Sequence, residues 1–492
     1  MIRPSSLILT VILFAVQTQT ETALAADSRA DRPNIILINI DDLGYGDIGP
    51  FGSRQNATPN LDRMATEGRR LTSHYAAPVC SPSRASLMTG CYPKRAMPIQ
   101  HVLFPSSAVG LHPDEVTIAE LLKGAGYVTG CIGKWHLGDQ PPFLPTRQGF
   151  DYYFGLPYSN DMGNGLDGSK SNPGRPLPKR DNVEIPREFP EDGIRGAAQP
   201  PLPLLENERV IEQVDADGQT TLTARYAEKA RGFIRDHRDE SFFLYLPHTA
   251  VHFPLYPGMK FRGKSGNGLF SDWVTEVDWA VGQIFEAVRE NQIADRTLII
   301  FTSDNGGARN HGANNDPLRG QKGQTFEGGI RVPTIVWWPG RIPAGTSTAA
   351  ITSTMDFLPT LAQLGGAAVP TDRRLDGLDI WPVMEGTADA EGPRSVFHYF
   401  RGFQLEAVRS GDWKLHLAKQ ELYNLKDDIG ESRNVADEHA DVVKALNQLA
   451  AEMNNDLGNQ AVGPGCRPLG RVDQPQPLIS HDGIVRSGFE PQ

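Results

Sequence analysis

Cysteine is scarce in this chain, with four residues in 492. Cys80, Cys91, Cys131 and Cys466 follow no zinc-ligand spacing, and four thiols cannot frame a fold of this length. If Cys80 has other work, at most one bridge can form among Cys91, Cys131 and Cys466. A basic surplus is also missing: Lys and Arg number 48 against 59 Asp and Glu, for a net charge of −11. That balance speaks against a nucleic-acid binder, which needs a basic surface. After the N-terminus no apolar run is long enough to cross a bilayer, which takes ~20 residues. The run at 7–16 is about ten residues long, half of that requirement. It follows Arg3 and precedes Ala23-Leu24-Ala25, small residues at the spacing of a signal-peptidase site. Residues 1–25 therefore read as a signal peptide, and the mature protein as exported, periplasmic or secreted, without a membrane span. No internal repeat is present.

What remains is the composition of a globular chain. Hydrophobic residues at 39% and charged residues at 22% give ample core, and 50 Gly and 38 Pro punctuate it with loops. From Pro33 onward, strand and helix alternate. Continuous apolar runs at 34–40, 127–132, 241–246 and 297–302 predict strands buried on both faces. Helices are expected at 59–68, behind a Thr58 cap with Pro59 in the first turn, and at 116–125, 221–235 and 272–290. The alternation predicts an α/β fold, a large mostly parallel sheet covered by helices on both sides. Residues 155–205, crowded with Pro, Gly, Asn and charge, read as a loop-rich surface insertion of the kind that often binds ligands. Short runs at 395–400, 405–409, 413–417 and 422–425 predict a small antiparallel sheet, followed by a helix at 440–453 and a Pro/Gly-rich tail. The expected division is a signal peptide at 1–25, a catalytic domain at 26–385, and a small α+β subdomain with its tail at 386–492.

A polar cluster follows each predicted strand of the large sheet: Asp41-Asp42, then Lys134 and His136, then His248 and His252, then Asp304-Asn305. Open α/β sheets bind ligands beyond the carboxyl ends of their strands, so four such clusters at one edge mark a site. Asp41, Asp42, Asp304 and Asn305 offer only oxygen, the donor set of a hard divalent ion such as Ca²⁺ or Mg²⁺. Lys134, Lys322 and Arg84 would surround it with positive charge, and His136 and His252 could move protons near neutral pH. The set suits a tetrahedral oxyanion, phosphate or sulfate. His74, His311, His398 and His416 read as packing, loop or surface residues, and Trp337-Trp338 as core.

Cys80-Ser81-Pro82-Ser83-Arg84, followed by Leu87-Met88-Thr89-Gly90, puts Cys80 at or just before a helix N-terminus, where the dipole and free N–H groups favour an anion. The segment matches the C-x-P-S-R signature of the type I sulfatases, and the chain resembles that family over nearly all its mature length. Asp41-Asp42-Leu43-Gly44 and Thr58-Pro59-Asn60-Leu61-Asp62 are similar to its first metal motif and the usual successor. Gly133-Lys134-Trp135-His136-Leu137-Gly138, Ser303-Asp304-Asn305-Gly306, Lys322-Gly323, Glu327-Gly328-Gly329-Ile330-Arg331-Val332-Pro333 and Leu422-Tyr423-Asn424-Leu425 resemble later family motifs, in order. Within the family the chain looks most similar to the arylsulfatase A and N-acetylgalactosamine-6-sulfatase group.

The resemblance implies an alkaline-phosphatase-like α/β/α sandwich, with Cys80 oxidised to formylglycine by a formylglycine-generating enzyme. It implies that Asp41, Asp42, Asp304, Asn305 and the modified Cys80 bind Ca²⁺, with Mg²⁺ permitted by the same oxygens. One hydroxyl of the hydrated aldehyde would attack sulfur while Asp304 helps remove its proton and Arg84 and Lys134 hold the hydrate. Lys322 and the metal would bind the sulfate oxygens, with Lys134 and His252 also meeting the substrate. His252 would protonate the leaving oxygen; it is preferred to His248 because a hydrophobic residue and a proline follow it. His136 would deprotonate the second hydroxyl, so that sulfate leaves and the aldehyde returns. The expected enzyme is an arylsulfatase-like sulfuric ester hydrolase acting on sulfated carbohydrates and aryl sulfates. The rival readings are a phosphoester or phosphonate hydrolase on the same scaffold, and a catalytically silent sulfoglycan-binding protein whose Cys80 stays a thiol.

Overall fold

The computed structural model describes residues 32–164, 170–175, 190–387 and 392–491, so the expected signal peptide lies outside the described residues. Strand β1 (Asn34–Ile40) runs through the middle with all seven residues buried. Its alternate side chains enter two cores. Ile36, Ile38 and Ile40 pack with the helices Pro59–Glu67, Leu222–Asp236 and Leu269–Glu290. Ile35 and Leu37 pack with Cys80–Thr89, Ile118–Gly124 and Phe357–Leu364 on the opposite face. A strand covered on both faces has no polar side to show, which is why its sequence is unbroken apolar. Each isoleucine buried this way contributes roughly 1.5–3 kcal/mol.

The main sheet has 11 strands. After β1 come β2 (Arg69–Tyr75), β3 (Val128–Ile132), β4 (Tyr152–Gly155), β5 (Pro203–Glu206) and β6 (Arg209–Gln213). Then follow β7 (Phe242–Pro247), β8 (Thr297–Ser303), β9 (Arg331–Trp337), β10 (Thr346–Thr348) and β11 (Thr352–Ser353). Their order is β10-β2-β9-β8-β1-β7-β3-β4-β5-β6, with β11 beside β2. The inner strands β8, β1, β7, β3 and β4 are parallel. Antiparallel pairing of β9, β5 and β6 makes the sheet mixed. These flanks escape a reading by periodicity. β2 is largely polar, and β9 carries Pro333 at a register shift between Val332 and Thr334, where a strand tolerates proline. In register, Asn39 faces Pro247 and Thr302, and Ile40 faces Ser303. The strands β1, β7 and β8 therefore end at one level.

Two expectations need correcting. Thr58 stands at the N-cap of Pro59–Glu67, but its hydroxyl takes the Gly49 N–H; Asp278 caps the helix instead, accepting from the N–H groups of Asn60 and Leu61. Residues 155–205 are not wholly a surface insertion. Leu156, Tyr158, Ser159 and Asn160 are buried, because the chain leaving β4 is held inward by N–H groups of Trp135 and His136 on the carbonyls of Leu156 and Pro157. Part of this segment, 165–169 and 176–189, lies outside the described residues.

A second sheet, β12 (Val396–Arg401), β13 (Gln404–Ser410), β14 (Trp413–His416) and β15 (Glu421–Asn424), is antiparallel throughout. Helix Ala440–Leu457 lays Leu446, Ala450, Met453 and Leu457 into its core. The tail then wraps the large domain: Gly470–Arg471 pairs with Val109–Gly110, and the Phe489 carbonyl accepts the Val210 N–H. All four cysteines are free. Among the described residues no helix is long and apolar enough to cross a membrane.

Candidate active site

Four strand ends deliver the site, with His252 on the loop after β7. Asp41 and Asp42 leave β1, Asp304 and Asn305 leave β8, and Lys134 and His136 follow β3. Asp42 and His136 hold left-handed backbone at φ 61° and 66°. That conformation costs a residue with a side chain about 1 kcal/mol or more, and such strain collects at functional sites. Cys80 is the first residue of the helix Cys80–Thr89, behind the extended Val79. Its Sγ lies 3.3 Å from Asp41 Oδ1. Burial and the Asp41 charge push the thiol well up, so an unmodified Cys80 stays protonated and is a weak nucleophile.

Three ion pairs surround it. Arg84 Nη2 and Nε donate to Asp304 Oδ2 at 2.8 and 3.1 Å, with neither side chain exposed. Lys134 Nζ donates to Asp41 Oδ2 at 2.5 Å and to Ser159 Oγ at 3.2 Å, equally hidden. Lys322 Nζ is 2.7 and 2.9 Å from the two Asp42 oxygens, and its side chain keeps 20% exposure. His252 Nε2 stands 3.8 Å from Asp42 Oδ2 at 12% exposure. Lys322 and His252 open into a cavity of about 350 Å³ shared with Asp42, Asp161, Phe253 and His311. Burial alone would raise Asp41, but Lys134, His252, Arg84 and Lys322 hold its carboxyl well below the usual range. Asp304 goes the other way: burial and the Asp41 charge push it up to about 6 in spite of Arg84 and Lys134.

The two histidines of one loop differ. His248 is buried, its ring edge-on to Tyr226 and its Nδ1 without a partner among the described residues, and burial pushes it down to about 4. His252 lines the cavity, with Nδ1 at 2.5 Å from the Phe253 carbonyl and 3.3 Å from Ser159 Oγ. His136 Nε2 meets the Leu103 carbonyl at 2.9 Å and its Nδ1 is buried without a partner among the described residues; burial, Lys134 and Arg84 hold it well below its ordinary value. His311 lines the cavity, whereas His74 bonds Thr352, His398 bonds Tyr92 and His416 bonds Glu431. Trp337 and Trp338 are core.

The residues fit a divalent ion. One ligand atom each from Asp41, Asp42, Cys80 and His252 lie within 4.8 Å of one another. Asn305 Oδ1 is buried without a partner among the described residues, while its Nδ2 donates to Asp42 Oδ1 at 2.8 Å. An orphaned oxygen among crowded carboxylates is what a hard cation satisfies. Asp304 stands outside that four-atom group, one oxygen on Arg84 and the other taking the Asp42 N–H at 3.3 Å. Three carboxylates already balance three cations, so a dication would leave the site positive toward an anionic ester.

Ser159 and Asp161 are the residues the sequence pattern does not single out. Both follow β4, whose four residues are too short to announce a strand; the strand-end rule, extended to it, finds them.

Residues 33–367 match the family model described as Sulfatase, and 321–458 the one described as N-sulphoglucosamine sulphohydrolase, C-terminal. The chain belongs to the sulfatase family. Arylsulfatase A of Bos taurus is 38% identical over 485 residues, covering 89% of this chain and 92% of that protein. N-acetylgalactosamine-6-sulfatase of Canis lupus familiaris is 40% identical over 407 residues, covering 80% and 73%. The crystal structure of Ps i-CgsB in complex with k-i-k-neocarrahexaose matches with a TM-score of 0.71 at 32% identity, covering 86% and 92%. The fold is the alkaline-phosphatase-like sandwich of the sulfatases, and the protein is a sulfuric ester hydrolase.

Proposed function

We propose that this enzyme is exported and cleaves sulfate monoesters of carbohydrates, and also of aryl groups, with a formylglycine made from Cys80 and a bound Ca²⁺. The observation that carries the reading is Cys80 at the head of a buried helix, against Asp41, inside a ring of three carboxylates and three cations that meets the cavity through Lys322 and His252. A relative named for N-acetylgalactosamine and another that holds a neocarrahexaose support a carbohydrate ester. Residues 1–25 serve export, 26–385 form the catalytic domain and 386–492 the small subdomain and tail. A formylglycine-generating enzyme matures Cys80.

Asp41, Asp42, Asp304 and Asn305, with residue 80, hold the metal, which when bound supplies positive charge to sulfate oxygens; Mg²⁺ suits the same donors. Residue 80, once oxidised and hydrated, supplies an oxygen nucleophile that sheds sulfate by elimination, where a serine ester would need fresh hydrolysis. Asp304 takes the nucleophile's proton, and Arg84 keeps that carboxylate fixed. Lys322 clamps the sulfate from the cavity side and Lys134 from behind, and clamps of this kind strengthen in a water-poor site. The Phe253 carbonyl can only accept, so His252 Nδ1 carries a proton and Nε2 is the position that gives one to the leaving oxygen. The Leu103 carbonyl fixes the His136 proton on Nε2, leaving Nδ1 as the base for the release step.

The test is the mass of the Cys80 peptide and its variant. Conversion of the thiol to an aldehyde lowers the mass by about 18 Da, and Cys80→Ala abolishes hydrolysis of p-nitrophenyl sulfate. Chelation abolishes it too, with recovery on added Ca²⁺. An active protein carrying an unaltered thiol would sink the reading.

A further inference from the structure

We propose that Asp161 selects the substrate, accepting a hydrogen bond from a free sugar hydroxyl beside the sulfate ester and turning away a second anionic group at that place. The inference deepens the reading of this site as a carbohydrate sulfatase and rests on it. The cavity is one space. It is lined by Asp42, Lys322 and His252, the groups that meet the sulfate and the leaving oxygen in that reading, and also by Asp161, Phe253, Asn310 and His311. At roughly 30 Å³ per water, 350 Å³ has room for about a dozen waters. That is the scale of one sugar ring with its sulfate.

Asp161 lines this cavity half-buried; its Oδ1 is covered and has no hydrogen-bond partner among the described residues, so Oδ2 is the carboxylate oxygen that can face a ligand. A carboxylate is acceptor only, so a ligand hydroxyl is the neutral group it can take from the cavity side. The position is fixed relative to the proton donor. Ser159 Oγ lies 3.3 Å from His252 Nδ1, Asn160 Nδ2 donates to the Pro254 carbonyl at 3.1 Å and to Gln219 Oε1 at 2.9 Å, and the Met162 N–H closes the turn on the Ser159 carbonyl at 3.0 Å. Asp161 is thus carried on a turn braced against the segment that bears His252. Phe253 and His311 stack face to face at 4.4 Å and 21°, so each ring holds the other in place on the cavity wall. A second sulfate or a carboxylate on the substrate would instead bring a negative charge to Asp161, in a cavity whose lysine, Lys322, is already paired with Asp42.

The experiment compares wild type, Asp161→Asn and Asp161→Ala. The probes are methyl galactopyranoside 4-sulfate and 6-sulfate, the 4,6-disulfate, and p-nitrophenyl sulfate, which carries no hydroxyl beside its ester. A site built to bond a hydroxyl loses discrimination steeply when that bond is removed. The ratio of kcat/KM for the better monosulfate over p-nitrophenyl sulfate should fall about tenfold or more in Asp161→Ala. Asp161→Asn, which retains an acceptor oxygen, should lose less on the monosulfate and turn over the disulfate better than wild type. An equal fall on sugar and aryl esters, or no fall, overturns the assignment, as does a wild type that prefers the disulfate. Wild type that cleaves p-nitrophenyl sulfate but neither monosulfate also overturns it. Wild type inert toward every ester defeats the sulfatase reading itself.

Discussion

Replacing Lys414 by Met tests how much the buried ion pairs between the small C-terminal sheet and the loop past Lys322 contribute to stability. Lys414, on β14, is fully buried between two carboxylates, 2.9 Å from Glu327 and 2.8 Å from Glu431, and donates to the Thr325 carbonyl at 2.8 Å. Thr325 and Glu327 lie just past Lys322, so one ammonium joins the loop of Lys322 to the second sheet. Methionine roughly keeps the volume and removes the charge. Glu327 retains Arg331 at 3.3 Å and the hydroxyls of Tyr75 and Tyr399, and Glu431 retains His416 at 2.9 Å. One buried negative charge nevertheless loses its counterion, at a cost of about 3–5 kcal/mol. Unfolding entropy of about 2.1 cal/mol/K per residue comes to about 1 kcal/mol/K if the whole chain melts as one unit, so Tm should drop by about 3–5 °C. Thermal melts of wild type, Lys414→Met and the double variant Lys414→Met/Glu431→Gln measure this. The double variant should melt higher than the single one, because the stranded charge is gone. A single variant within about 1 °C of wild type, or a double variant no better than the single, would refute the reasoning.

Two further outcomes are expected. His252→Ala should lower kcat by about 10²–10⁴ on an alkyl sulfate and by less on p-nitrophenyl sulfate, whose leaving group needs little protonation. His248→Ala, which empties a buried site beside Tyr226, should lower stability and leave that leaving-group dependence as in wild type; full activity in His252→Ala reverses the two roles. Glu276 accepts the Gly258 N–H at 2.7 Å, and burial pushes its carboxyl from 4.5 up to about 7. The folded state thus holds the proton more tightly than the unfolded one, so this contribution is fully present below pH 4.5 and lost as pH rises through 7. At 1.36 kcal/mol per pH unit it amounts to about 3 kcal/mol. Glu276→Gln cannot ionise, so it should match wild type in Tm near the lower limit and exceed it at about pH 8; a pH-independent difference would contradict the assignment.

What could be read from the sequence follows from how each part earns its burial. β1, β3, β7 and β8 lie inside the sheet with helices on both faces, so their residues had to be apolar and their limits show within a residue or so. The clusters after them were legible for a related reason: a sudden run of charge behind a buried strand has few structural uses. The flanks β2, β5, β6 and β10 are held by neighbours far along the chain, and their polar or short sequences carry no period of their own. The same cause hid Asp161 and Ser159. Ser159 matters because β3 pairs with β7 and β4, which brings Lys134 and His252 to either side of one hydroxyl. Strand order creates that meeting, and no local pattern encodes strand order. The charge ring shows the limit from the other side. Composition announces that Arg84, Lys134 and Lys322 bring three cations, but the pairing Arg84–Asp304, Lys134–Asp41 and Lys322–Asp42 depends on which side chains end in the dark. Only Lys322 of the three keeps a face on the cavity, so the cation best placed to greet an incoming ester is the one contributed by a loop rather than by a strand end.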